Sequence, residues 1–211
     1  MLKEFEKRLL SSIILLPIAI FFIIKGSTFF IFFLCMLFLI TIYEWFKISR
    51  KNNLFKFLGT IFILFSFYSS FVVREEGLKF FLLIVIICVF TDIGGYMFGK
   101  FFKGPKLSSI SPNKTYSGVI GSFTLSLIFA LIFIEYLDIK SIFYNNYLIL
   151  FIMILFISLI SQIGDLIISF FKRKARLKDS GKILPGHGGL LDRIDGLIFV
   201  MPIIYFLQLF K

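Results

Sequence analysis

Asp192 and Asp195 are three residues apart in Leu191-Asp192-Arg193-Ile194-Asp195, which places both carboxylates on one face of a helix while Arg193 projects elsewhere. Two like charges on one face repel unless a cation joins them, and carboxylate oxygens are what Mg2+ and similar hard ions take. Asp165, in Ser161-Gln162-Ile163-Gly164-Asp165, is a third acid inside an apolar run and a further candidate metal ligand. Between Asp165 and Asp192 runs a link holding Lys172, Arg173, Lys174, Arg176, Lys178 and Lys182, followed by Pro185-Gly186-His187-Gly188-Gly189. Glycines flanking the sole histidine and leading into a helix start permit close backbone approach and offer N–H donors to a phosphate. A divalent cation and a polyphosphate are complementary readings of these adjacent segments.

A second polar stretch contains Asp92-Ile93-Gly94-Gly95, then Ser111-Pro112-Asn113-Lys114-Thr115. Gly94 and Gly95 thin a helix for close packing. Ser111, Lys114 and Thr115 bring hydroxyl and ammonium donors suited to phosphate oxygens. The spacing is not that of a Walker A loop.

The elements that carry these residues follow from composition. The chain has 211 residues, 59% of them hydrophobic, with a mean hydropathy of +0.98, which excludes an ordinary soluble domain. Seven apolar runs, each spanning or nearly spanning a bilayer, are expected at 9–24, 28–46, 54–73, 78–98, 115–136, 147–171 and 188–210. The fold class is therefore an all-α polytopic membrane protein, a single integral domain over 1–211 with N-terminal helices in 1–75 and the helices that carry the candidate residues in 76–211. Lys25-Gly26-Ser27 is the whole link between the first two runs, so they form a tight hairpin. No A-x-A-like cleavage site follows the basic start, and the first run is expected to be retained. Cys35 and Cys88 lie inside apolar runs without metal-type spacing and read as core packing.

Charge orients the spans. Of 23 Lys and Arg, 17 fall in the N-terminal segment and in the links after the second, fourth and sixth runs. By the positive-inside rule that side is cytoplasmic, with the N-terminus inside and the C-terminus outside. An acid at the centre of a span costs roughly 2.5–3.5 kcal/mol, so Asp92, Asp165, Asp192 and Asp195 are functional candidates. Glu44 and Glu135 lie near interfaces and are expected to be solvated there.

The run Ser169-x-Phe171-Lys172-Arg173-x4-Lys178-Asp179-x-Gly181-x2-Leu184-Pro185-x-His187-Gly188-Gly189-Leu190-x-Asp192-Arg193-Ile194-Asp195 closely resembles the signature of the phosphatidate cytidylyltransferases, or CDP-diacylglycerol synthases. Ser161-x2-Gly164-Asp165 and Ser111-Pro112-x-Lys114-Thr115 are similar to further motifs of that family. The resemblance covers Thr91 to the C-terminus, and the chain looks about two spans shorter than many members.

The resemblance implies transfer of the cytidylyl group from CTP to phosphatidate, giving CDP-diacylglycerol and pyrophosphate in phospholipid biosynthesis. It implies Mg2+, with a second cation as an option, held by Asp165, Asp192 and Asp195. Lys172, Arg173, Lys178 and the glycine backbone around His187 (Gly188, Gly189) are candidates for neutralising the leaving pyrophosphate. Lys114 and Ser111 would hold either the nucleophile or the nucleotide. Asp92, Thr115, Ser169 and Arg193 complete the expected substrate-binding set. The expected partners are CTP, phosphatidate and membrane lipid, with no nucleic acid, and a homodimer is a candidate assembly. The expected location is the inner (plasma) membrane with the active site at the cytoplasmic face. The rivals are a CTP-dependent polyprenol or related lipid kinase and a cation-coupled transporter using Asp92, Asp165 and Asp195. Against the transporter, the acids cluster near one interface and no inverted repeat is visible.

Overall fold

The computed structural model describes residues 15–50, 52–107, 111, 114–137, 146–181, 183 and 188–209. Among the described residues the regular elements are helices, with one isolated bridge between Lys106 and Thr115. In hydrocarbon every backbone N–H and C=O must be satisfied within the segment, which selects helices for runs this apolar. In chain order they are α1 (Leu15–Lys25), α2 (Ser27–Ile48), α3 (Asn53–Glu76), α4 (Leu78–Phe102), α5 (Tyr116–Leu137), α6 (Tyr147–Lys174) and α7 (Leu191–Leu209).

Five of these, α2 to α6, are long and apolar enough to cross a membrane. At 1.5 Å per residue the shortest are about 33 Å long, against about 30 Å of hydrocarbon. α7 has 19 residues and carries Asp192, Arg193 and Asp195 in its first two turns. The start of the first expected run, 9–14, lies outside the described residues, as do the basic N-terminus and Pro185, Gly186 and His187.

The helices group into two compact units. The first takes the described residues within Met1–Leu78 and Phe171–Lys211, and the second is Lys79–Phe170. In the first, α3 lies against α2 and α7. Its contacts are largely aromatic: Phe38 meets Phe67 edge-on at 5.7 Å, Phe62 meets Phe199 at 4.9 Å, and Tyr205 meets Phe65 at 5.8 Å. Trp45 packs on Phe171 at 5.3 Å and donates its indole N–H to the Lys56 carbonyl at 3.3 Å. Gly59 leaves the space that the Trp45 ring fills. Cys88 is buried as expected, but Cys35 is exposed on α2.

The α1–α2 hairpin turns at Gly26, whose φ of +65° lies in the region that favours glycine. Phe22 folds back to stack on Phe33, with ring centroids 5.2 Å apart. The turn is held from α3. Arg74 donates through Nε to the Ile23 carbonyl and through Nη2 to that of Ile24, each at 3.0 Å. Glu75 accepts from the Ser27 N–H at 3.3 Å and from Arg74 Nη1 at 2.6 Å. The carbonyls left over at the end of α1 thus have partners.

In the second unit, small residues let α4 and α5 approach closely. A Cβ at Gly94 would run into the carbonyl of Gly121, and one at Gly118 would lie 2.8 Å from that of Gly95. The expectation that Gly94 and Gly95 serve packing holds. The freed space brings hydroxyls into reach: Ser122 donates to the Thr91 carbonyl at 2.7 Å, and Thr91 to Ser158 of α6 at 2.8 Å. Apolar side chains such as Phe151, Ile152, Phe156 and Leu159 of α6 remain exposed, as lipid-facing positions should be.

Gly94→Val forces a branched side chain into the α4–α5 contact, where overpacking costs about 1–3 kcal/mol. Thermal unfolding of the purified protein in detergent should show a clear drop in melting temperature, while Ile152→Val on the exposed face of α6 leaves it unchanged.

Candidate active site

The basic link begins where α6 ends. The backbone closes the helix with a Schellman pattern: the Leu177 N–H reaches the Lys172 carbonyl at 2.8 Å and the Arg176 N–H that of Arg173 at 2.9 Å. Arg176 supplies the left-handed residue, at φ +59°, where glycine is the usual choice. Arg173 adds a side-chain bond to the Leu177 carbonyl at 3.3 Å. Arg173 and Lys178 are exposed, whereas Lys172 is only 8% exposed.

Lys172 is buried because it is paired. Its ammonium donates to Asp192 Oδ1 at 2.7 Å, joining the last turn of α6 to the first turn of α7. The other oxygen, Oδ2, accepts from the Ser180 N–H at 2.8 Å and the Gly189 N–H at 3.2 Å. Asp195, one turn further, is 5% exposed and accepts from the Gly196 N–H at 2.9 Å. Arg193 between them faces outward and is exposed, in keeping with the three-residue spacing. Gly188 has a φ of +86°, a conformation strained for other residues.

Glu44 corrects the expectation of a solvated interfacial acid. It is fully buried on α2 and accepts three bonds from the link and α7: Ser180 Oγ at 2.8 Å, Leu190 N–H at 3.1 Å and Leu191 N–H at 2.8 Å. The residue preceding α7, Leu190, has no side-chain acceptor, so the helix start draws its cap from elsewhere in the chain. Of the glycine N–H groups expected to be open to a phosphate, that of Gly189 is engaged within the protein by Asp192, and Gly186 lies outside the described residues.

The second unit holds the other candidates. α4 ends in Lys103-Gly104-Pro105, and the chain returns through Leu107 N–H to the Lys114 carbonyl at 2.8 Å and Tyr116 N–H to the Pro105 carbonyl at 3.1 Å. Thr115 caps α5 by accepting from the Gly118 N–H at 3.1 Å, which assigns it a structural task. Ser111 accepts the Lys114 N–H through its carbonyl at 3.0 Å. Lys114 reaches α6, where it pairs with Asp165 at 2.5 Å and approaches the Gln162 carbonyl at 3.4 Å. Ser169, one turn on, donates to Asp165 at 3.2 Å. Asp92 lies on an exposed part of α4.

Carboxylate oxygens are the right donors for Mg2+. In this arrangement Asp192 is held by Lys172 and Asp165 by Lys114, and among the described residues no three His, Cys, Asp or Glu side chains are grouped to hold a metal ion. What the geometry does offer is lysine–carboxylate pairs at the ends of apolar helices, with further basic residues exposed beside one of them. Phosphate oxygens can compete with these carboxylates for the ammonium groups.

The helices are of membrane-crossing length and apolarity, and lysine–carboxylate pairs lie at helix ends. The family is then fixed by comparison: residues 53–210 match the model of the cytidylyltransferase family, and the chain belongs to it. It is 43% identical over 162 residues to the phosphatidate cytidylyltransferase of Staphylococcus aureus, an overlap of 73% of this chain and 61% of that one. The match to the protein of that name from Staphylococcus haemolyticus is 39% over the same shares. The chain thus spans about 61% of the length of these relatives. The phosphatidate cytidylyltransferase of Rickettsia felis is 32% identical over 207 residues, covering 96% of this chain and 91% of its own.

Removing one partner of the Lys172–Asp192 pair leaves a charge stranded in a buried place, at a cost of about 3–5 kcal/mol. Lys172→Met should lower the detergent melting temperature more than the double variant Lys172→Met/Asp192→Leu does. Equal losses in the two would mean that the pair does not hold α6 to α7.

Proposed function

We propose that the chain is a CTP:phosphatidate cytidylyltransferase. The carrying observation is the near full-length match to the Rickettsia felis relative, with the Lys172–Asp192 pair inside the segment matched by the family model. In the reaction a phosphate oxygen of phosphatidate forms a bond to the α-phosphorus of CTP. The bond from that phosphorus to the oxygen of pyrophosphate breaks, and CDP-diacylglycerol leaves in the membrane.

The attacking phosphate is already anionic near neutral pH, so no strong general base is required. Catalysis rests on positioning and on charge neutralisation. Lys172, Arg173 and Lys178 are the groups assigned to the polyphosphate, and Lys114 to a phosphate of one of the two substrates. Mg2+ is the proposed cation, with Asp192 and Asp195 at the start of α7 as carboxylates that would hold it and Asp165, in the second unit, as a separate candidate. Mg2+ would supply Lewis-acid neutralisation of phosphoryl oxygens. Asp195 is the residue on which this assignment leans, because it is buried at the start of an apolar helix where an acid is costly.

The purified protein, given α-labelled CTP, phosphatidate and Mg2+, should release pyrophosphate and place the label in a CDP-lipid. Formation of CDP and a phosphorylated lipid alcohol instead would overturn the reading. Asp195→Asn, nearly isosteric, should lower kcat/KM at least about a hundredfold, the scale of losing a preorganised charge at a phosphoryl centre, while membrane insertion is retained.

For topology we propose seven spans, an N-terminus in the cytoplasm and the site at the cytoplasmic face of the plasma membrane. The support is the 17 basic residues on one side. In a chain whose native cysteines are replaced, Lys25→Cys should react with a membrane-impermeant thiol reagent in intact cells, and Arg50→Cys only after permeabilisation. The reverse pattern would invert the orientation.

A further inference from the structure

We propose that Glu44, on α2 and outside the 53–210 segment matched by the family model, is a positioning residue that ties Ser180 to Leu190 and the first turn of α7, and so sets the geometry of Asp192 and Asp195. The proposal rests on the cytidylyltransferase reading for its kinetic consequence, but its structural content stands apart from it.

The carboxylate takes donors from two places in the chain. Ser180, six residues after the end of α6, gives its hydroxyl to Oε2, and Leu190 and Leu191, at the start of α7, give their N–H groups. Leu190 and Leu191 are 9% and 0% exposed, so water cannot replace the acceptor, and orphaned N–H groups in such a place are costly. A negative charge at a helix N-terminus is also favoured by the macrodipole.

Two glycines fit the same account. A Cβ at Gly181 would collide with Glu44 Oε1, and one at Gly189 would lie 2.6 Å from Oε2. The backbone runs against the carboxylate at both positions, and neither tolerates a side chain without displacing it. Ser180 ties the two acids together: its O–H goes to Glu44 and its N–H to Asp192, which also takes the Gly189 N–H. Loss of Glu44 therefore releases the donors that orient Asp192, and with them the helical turn that leads to Asp195. A fully buried carboxylate in an apolar bundle costs several kilocalories unless such bonds satisfy it, and a generic packing position would be filled by an apolar residue.

The test compares wild type, Glu44→Ala, Glu44→Gln and Ser180→Ala as full-length protein in detergent, by hydrogen exchange and by CTP:phosphatidate kinetics. In Glu44→Ala, amides of 189–196 should exchange at least about tenfold faster, as expected for the loss of bonds to a charged acceptor, while amides of α4 and α5 do not change. kcat should fall about 10–100-fold, the range for removing a group that orients a functional side chain. Glu44→Gln keeps one acceptor oxygen but sets an NH2 donor against a backbone N–H that the other oxygen accepted, and should restore only part of the protection and the rate. If Glu44→Ala fails to fold, Ser180→Ala provides the reading, with a smaller rise in exchange confined to the same amides. Wild-type exchange at 189–196 in Glu44→Ala, or in Ser180→Ala should it stand in, overturns the proposal, as does an increase spread evenly over the chain. A wild-type protein that makes no CDP-lipid would overturn the functional reading instead, and the exchange data would still judge the tie.

Discussion

The start of α7 exposes backbone N–H groups that its own first residues cannot accept, in a place that water does not reach. Much of the first unit is arranged around that requirement. The acceptor is Glu44, which lies 147 positions away in the chain from one of its donors. Once it sits there, the backbone must approach closely at Gly181 and Gly189, Ser180 must turn inward, and Asp192 is left to take the remaining donors and the charge of Lys172. Lys172 can be buried because Asp192 meets its charge, and the helix that carries it closes by a backbone motif with a side-chain bond from Arg173.

The second unit solves a similar problem with smaller residues. Glycines at 94, 95, 118 and 121 bring α4 and α5 close enough for Ser122 and Thr91 to bond across the contact. The hydroxyl of Thr91 in turn reaches Ser158, so Thr91 meets α5 through its backbone carbonyl and α6 through its side chain. Lys114 and Asp165 are about a quarter exposed, more than Lys172 and Asp192, and an ion pair there is cheaper to keep and easier to open.

Span positions were legible because bilayer thickness and backbone satisfaction leave little freedom: the run expected at 28–46 is the helix Ser27–Ile48, and that at 147–171 is Tyr147–Lys174. The last run is shorter at its start than expected. Gly188 takes a left-handed conformation and the helix begins only at Leu191. The carboxylates and lysines of the candidate site were legible as residue types, because charge in so apolar a chain is conspicuous. Their partners were not. Lys172 with Asp192 and Lys114 with Asp165 are joined across links whose path no periodicity describes. Glu44 looked like an ordinary interfacial acid because the groups that claim it come from the far end of the chain. The one local hint was negative: Leu190 cannot cap the helix that follows it.

The turn at Gly26 carries a consequence for how the protein is made. Its carbonyls at Ile23 and Ile24 are taken by Arg74, and the Ser27 N–H by Glu75, residues 48 to 51 positions later. As the chain emerges in order, α1 and α2 can fold back on each other through Phe22 and Phe33, but the polar lock on their turn does not exist until the end of α3 has been synthesised and brought to the same side of the membrane. The first hairpin is thus a provisional structure during biogenesis, made permanent by the third helix.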